Sequence, residues 1–162
     1  MRYSYLNVGG QPNSDADNHC LKLGYAAAVM AMSPRHAGWP VAYLRTVVAE
    51  AIRQDRIKFY FNQDGRLVGY AIWAHLSRQA EAALAKGGFA QFRREDWNSG
   101  DTPWIVDFAA PQGNLKYMLH DLRDDIFKDE ARVRYFRLKN NRRIFKQLDR
   151  DMHCAFIRAG AA

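Results

Sequence analysis

Cysteine, long apolar runs and the familiar nucleotide and hydrolase signatures are what this 162-residue chain has least of. Two cysteines, Cys20 and Cys154, allow at most one intramolecular disulfide, which excludes a secreted disulfide framework and reads as reduced thiols. No stretch approaches the ~18 to 20 apolar residues of a membrane-spanning helix, and the best candidate, Tyr25 to Met32, is far too short. Met1 to Asn18 carries one basic residue and no apolar signal core, so no export signal is read and the expected compartment is the cytoplasm. A Gly-x-Ser-x-Gly elbow, a phosphate loop ending in Gly-Lys-Ser/Thr and a dinucleotide fingerprint are all missing, which removes the main support for a serine hydrolase or a nucleotide triphosphatase. His19-Cys20 and His153-Cys154 lack the spacing of chelating pairs, so no metal is expected.

What remains is an ordinary globular composition, 48% hydrophobic and 25% charged, enough for one well-filled core. The formal net charge is +7, and seven basic residues fall between Arg132 and Lys146. Such a face suits an anionic partner: nucleic acid, an acidic protein or a phosphate-bearing carrier. It equally suits a solvated strand edge that uses Lys and Arg to prevent edge-to-edge pairing.

Along the chain, residues 1 to 17 read as a flexible arm and 18 to 162 as one domain. A first helix starts at Asp17 or Asn18 as N-cap, runs to Met32 with Leu21, Leu23, Ala27, Ala28, Met30 and Ala31 in helical spacing, and stops before Pro34. Pro40 opens a second helix to about Gln54, whose apolar face is Val41, Leu44, Val47, Val48, Ala51 and Ile52. Ile57, Phe59 and Phe61 alternate, Gln63 to Arg66 turns, and Leu67 to Leu76 returns as a strand covered on both faces. Ser77 caps an Ala-rich helix ended by Gly87-Gly88. Trp104 to Ala110 is a strand with one carboxylate, Asp107, in an otherwise apolar run. After a helix to about Arg123, Ala131 to Leu138 reads as a strand and Arg142 to Leu148 as its return strand, although Ile144, Phe145 and Leu148 also fit a short helix.

Two residues stand out chemically. His36 sits in a loop and exchanges a proton near neutral pH, while Asp107, unpaired in so apolar a strand, would be costly to bury. A pairing between them would fix the histidine tautomer and stabilise its cationic form. The plain structural alternatives are a loop imidazole packed by Trp39 and an aspartate ion-paired with a buried arginine.

Three stretches resemble the RTX toxin acyltransferases, the toxin-activating lysine-acyltransferase family. Ser33-Pro34-Arg35-His36-Ala37-Gly38-Trp39-Pro40 looks like the family's Ser-Pro-x-His-x-x-Trp-Pro motif, and Tyr70 to Ser77 like its Tyr-x-x-Trp-Ala-x-Leu-Ser strand. Glu95 to Asp101 with Trp104 to Asp107 resembles its acidic-strand motif. The resemblance runs from about Ala28 to Lys128, and the segment beyond departs from it; Thr102-Pro103 interrupts the third motif and Phe108 stands where a Trp is usual.

The resemblance implies an α/β fold of mixed α+β type, an acetyltransferase-like (GNAT) central mostly antiparallel sheet flanked by helices. It implies transfer of a fatty acyl group from acyl carrier protein to internal lysines of an RTX protoxin, with His36 and Asp107 catalytic and Ser33 supporting. No bound cofactor is implied, acyl-acyl carrier protein being the donor substrate. Arg132, Arg134, Arg142 and Arg143 become candidates for docking the acidic carrier. Direct attack by the lysine and an acyl-His36 intermediate both stay open, and a homodimer is compatible. Two other readings compete: a coenzyme A-dependent acetyltransferase on the same fold, and a non-catalytic basic module that stacks nucleic acid on Tyr135, Phe136 and Phe145.

Overall fold

The computed structural model describes residues 15–139 and 142–150. Its elements, in order, are α1 (Asp15–Met32), a π-helical turn (Leu44–Val48) running into α2 (Ala49–Arg53), β1 (Ile57–Phe61), β2 (Leu67–Leu76), α3 (Arg78–Gly87), β3 (Thr102–Ala109), α4 (Leu115–Asp121), β4 (Arg132–Lys139) and β5 (Arg142–Asp149). The five strands form one sheet in the order β1-β2-β3-β4-β5, with β1/β2 and β4/β5 antiparallel and β3/β4 parallel. This is the mixed, mostly antiparallel GNAT-like layout that the resemblance implies. The described residues fall into two compact units: residues 15–72 with Asp107–Met118, and Trp73–Val106 with residues 119–139 and 142–150.

In the first unit α1 packs against α2. It begins at Asp15, inside the expected arm, because Asp15 and Asp17 place negative charge on the first turn, where the helix dipole favours it. Its buried stripe is Ala26, Val29 and Met30, continued one turn on by Ser33, and not the broader set the spacing suggested. Alanines on several sides of the helix left the face undefined; of that set Met30 alone is in the core, and Leu21 is 38% exposed. The second helix shows the same kind of correction. Val41 is 80% exposed, and the buried positions are Tyr43, Val47, Val48, Ala49, Glu50, Ala51 and Ile52.

The hairpin lies where the turn residues place it. Gly65 adopts φ +73°, and the Asn62 Oδ1 accepts from the backbone N–H groups of Asp64 and Arg66, at 3.0 and 2.8 Å. A bulge at Tyr60/Phe61 breaks the alternation, so Phe59, Tyr60 and Phe61 are all buried. Tyr25 of α1 meets Phe59 and Phe61 edge-on, at 5.6 and 5.4 Å between centroids. β2 is buried from Val68 to Ala74, as its continuous apolar run required.

In the second unit the Ser77 hydroxyl accepts from Ala80 N–H and caps α3. The Ser99 backbone N–H and hydroxyl bond to His75 O and Ser77 Oγ, so the end of the second motif and the middle of the third are stitched together. β3 starts at Thr102, with Pro103 in its second position, where a missing N–H is tolerated. Trp104, Phe136 and Phe145 form a ring cluster with centroids 4.6 to 5.2 Å apart.

Gly69 of β2 is where the first unit is tightest. A Cβ there would lie 2.4 Å from Ala109 O and 2.8 Å from Met118 Sδ. Gly69→Ala is expected to cost about 2 to 3 kcal/mol of stability, read as a lowered urea midpoint at unchanged slope; a midpoint within error of wild type would mean that the strand relaxes freely.

Candidate active site

The turn after α1 creates the site. Ser33 and Pro34 occupy the first two positions of a β-turn closed by His36 N–H to Ser33 O, 2.9 Å, and Pro34 presets the backbone for it. Ala37 N–H also reaches Ser33 O, and Trp39 N–H reaches His36 O at 2.8 Å. One consequence of this winding is that the Ser33 Oγ lies 2.7 Å from His36 Nδ1. The other ring nitrogen, Nε2, is 3.0 Å from Asp107 Oδ1. Two residues 71 apart in sequence, whose proximity the sequence does not show, thus meet, both only 2% exposed.

Asp107 is more heavily bonded than the sequence indicated. Its Oδ2 accepts from Tyr43 OH at 2.8 Å and from Tyr70 OH at 2.7 Å. The guanidinium of Arg35, half-exposed, comes within 3.9 Å of Oδ1 and lies over the Trp39 ring. Trp39 in turn packs on His36, 4.5 Å between centroids. Of the two plain alternatives, the imidazole is indeed packed by Trp39, whereas the arginine beside Asp107 is exposed and not buried.

Electrostatics fix the protonation pattern. Burial acts to raise the Asp107 pKa, but the hydrogen bond and charge of His36, followed by the phenol donors of Tyr70 and Tyr43, outweigh it and hold the carboxyl below its ordinary value. The two phenols move the other way: burial and then the charge of Asp107 push Tyr43 and Tyr70 well above the usual tyrosine pKa. When the imidazole is neutral, an ionised carboxylate being only an acceptor, Nε2 carries the proton and Nδ1 holds the lone pair that accepts from Ser33. Ser33, His36 and Asp107 form one directed chain of hydrogen bonds whose basic end is the nitrogen nearest Ser33.

The arginines proposed for carrier docking fare differently. Arg132 is exposed at the start of β4. Arg134 is committed to Glu81, 2.6 Å, which also accepts from Trp104 Nε1 at 2.7 Å. Arg142 and Arg143 belong to β5, and their side chains lie outside the described residues, as do His153 and Cys154.

A family model described as the RTX toxin acyltransferase family matches residues 16–149. The chain belongs to this family. The match begins before Ala28 and extends past Lys128, the limits between which the resemblance was read. An RTX-II toxin-activating lysine-acyltransferase of Actinobacillus pleuropneumoniae is 35% identical over 111 residues, 68% of each chain. A protein-lysine myristoyltransferase of Escherichia coli is 34% identical over 65% of this chain and 62% of its own. A leukotoxin-activating lysine-acyltransferase of Aggregatibacter actinomycetemcomitans is 30% identical over 70% of this chain and 69% of its own.

A depressed carboxyl pKa has a thermodynamic sign. The stability that Asp107 contributes is fully present above the unfolded-state value of about 4 and is lost as pH falls through the lower folded-state value. The stability gap between wild type and Asp107→Asn should therefore narrow as pH falls below about 4, followed by urea denaturation; a gap constant down to the acid transition would mean that Asp107 is not held ionised.

Proposed function

We propose that this chain transfers a fatty acyl group from acyl carrier protein to internal lysine ε-amino groups of an RTX protoxin, with His36 as general base and Asp107 as its partner. The observation that carries the reading is the buried Ser33–His36–Asp107 chain within a segment matched to the toxin acyltransferases. The names of the relatives, toxin-activating lysine-acyltransferase and protein-lysine myristoyltransferase, support the substrate class and the kind of acyl group.

The chemistry follows from the problem the lysine poses. With an ordinary pKa near 10.4, only about one amine in a thousand is neutral at pH 7, so a base must remove a proton for its nitrogen to attack. The lysine nitrogen adds to the thioester carbonyl carbon, a C–N bond forms and the C–S bond breaks. The ammonium proton enters at Ser33 Oγ while the serine proton moves to His36 Nδ1, because that lone pair faces Ser33. The imidazolium then donates from both nitrogens, and Asp107 stabilises it through Nε2–H. On becoming an amide the nitrogen loses two protons: one passes to the departing thiolate and the other is released to water, and the base is regenerated. This arrangement favours direct attack, since the nucleophilic nitrogen of the imidazole is covered by Ser33 rather than open to a thioester.

Docking of the carrier rests on charge. The net +7 attracts an acidic partner, and Arg132 is the exposed member of the proposed set. Arg134 holds Glu81 and serves the interior first.

Intact-mass measurement of an RTX protoxin incubated with long-chain acyl-acyl carrier protein tests the reading. A fatty-acyl increment on lysine is expected with wild type, falling by about 10²- to 10⁴-fold in His36→Ala and strongly in a folded Asp107→Asn. Equal transfer from acyl-coenzyme A would replace the carrier as donor, and transfer unchanged in His36→Ala would reject the assigned base. Ser33→Ala is expected to lower the rate by about 10- to 100-fold and Ser33→Thr to restore part of it; an acyl adduct stable on Ser33 or His36 would replace direct attack by a two-step route.

A further inference from the structure

We propose that Tyr43 and Tyr70 are positioning residues of the proton transfer: by holding Asp107 Oδ2 between two phenols they fix the carboxylate in one rotamer, leave Oδ1 to the imidazole and share the carboxylate charge.

Neither residue was singled out by sequence reasoning for a role, and neither is a member of the hydrogen-bond chain that leads to substrate. Both hydroxyls point at the same oxygen, at 2.8 and 2.7 Å, from different elements: Tyr43 from the turn entering α2, Tyr70 from β2. The groups facing Asp107 are these phenols, His36 Nε2 and, at 3.9 Å, Arg35. Tyr43 is 5% exposed and Tyr70 is fully buried, so their contribution passes through Asp107.

A carboxylate with an empty oxygen in this apolar strand has two ways to change: it rotates, so that either oxygen competes for the imidazole, or it takes up a proton. The phenols block both. They also temper the pair, since each hydroxyl brings a partial positive charge to Oδ2 and weakens the hold of Asp107 on an imidazolium. Without one of them, the protonated base is over-stabilised and the enzyme needs a higher pH to free its base. The raised phenol pKa values agree, because the hydroxyls keep their protons for donation throughout the working range.

Tyr43→Phe and Tyr70→Phe remove one oxygen each and keep the ring. The activity arm rests on the acyl-transfer reading; a second arm does not. Each variant should shift the acid limb of the transfer pH profile upward by about one unit, with rates at higher pH recovering to within about threefold of wild type. Side-chain nitrogen NMR of His36 in the protein without substrate should show the same displacement of its titration midpoint. A uniform loss across pH with an unmoved limb, or an unmoved NMR midpoint in both folded variants, overturns the proposal and leaves the tyrosines as packing residues. A displaced midpoint in a protein that transfers no acyl group would reject the acyl-transfer reading and leave the phenol clamp standing.

Discussion

Burial of one carboxylate governs the architecture of the first unit. Asp107 sits in a strand whose neighbours Val106 and Ala109 belong to the core, and an ionised group taken there without donors would cost several kcal/mol. The fold meets this by bringing three donors to two oxygens from three places in the chain: the turn after α1, the approach to α2 and the middle of β2. The elements of this unit are thus tied by a polar requirement as much as by apolar contact. A donor set built around a charge also orients whatever shares it, which is why the imidazole has one defined tautomer.

The turn makes the rest of the site out of short-range geometry. Ser33 lies three residues before His36, and a proline-directed turn at that spacing brings the hydroxyl under the ring without any tertiary contact. The imidazole itself is tied to the rest of the site by its long-range bond to Asp107. The close approach at Gly69 secures it, since a side chain there would press on the β3 backbone two residues beyond Asp107 and disturb the placement of Tyr70 on the next residue.

Much of this was legible in the sequence. The α/β class, the hairpin at Gly65, the Ser77 cap, the strand containing Asp107 and the pairing of β4 with β5 all followed from period and turn chemistry. His36 and Asp107 were legible for a different reason, as residue types out of keeping with their surroundings. The tyrosines were hidden by being in keeping with theirs. Tyr70 lies in a run that reads as a buried strand, and Tyr43 falls on the stripe of Val47 and Ala51, where an aromatic ring excites no question about its hydroxyl. The misassigned face of α2 had the same origin, because Val41 continues the apolar spacing and yet projects from the turn into solvent. In α1 the alanines made several stripes equally plausible, and tertiary packing chose the one that leads into Ser33.

Charge is the property that sequence overstates most. Seven basic residues between Arg132 and Lys146 suggest a uniform attractive surface, but a cation attracts a partner only to the extent that the protein has not already neutralised it. Arg134 donates to Glu81, which also anchors the Trp104 indole, so this guanidinium helps hold β4 and β3 against α3 and contributes little to the outward field. Arg132 makes no ion pair among the described residues and keeps its charge for the surface. The reverse holds at the site, where Arg35 belongs to no cluster in sequence and yet places a half-exposed cation beside the Asp107–His36 pair.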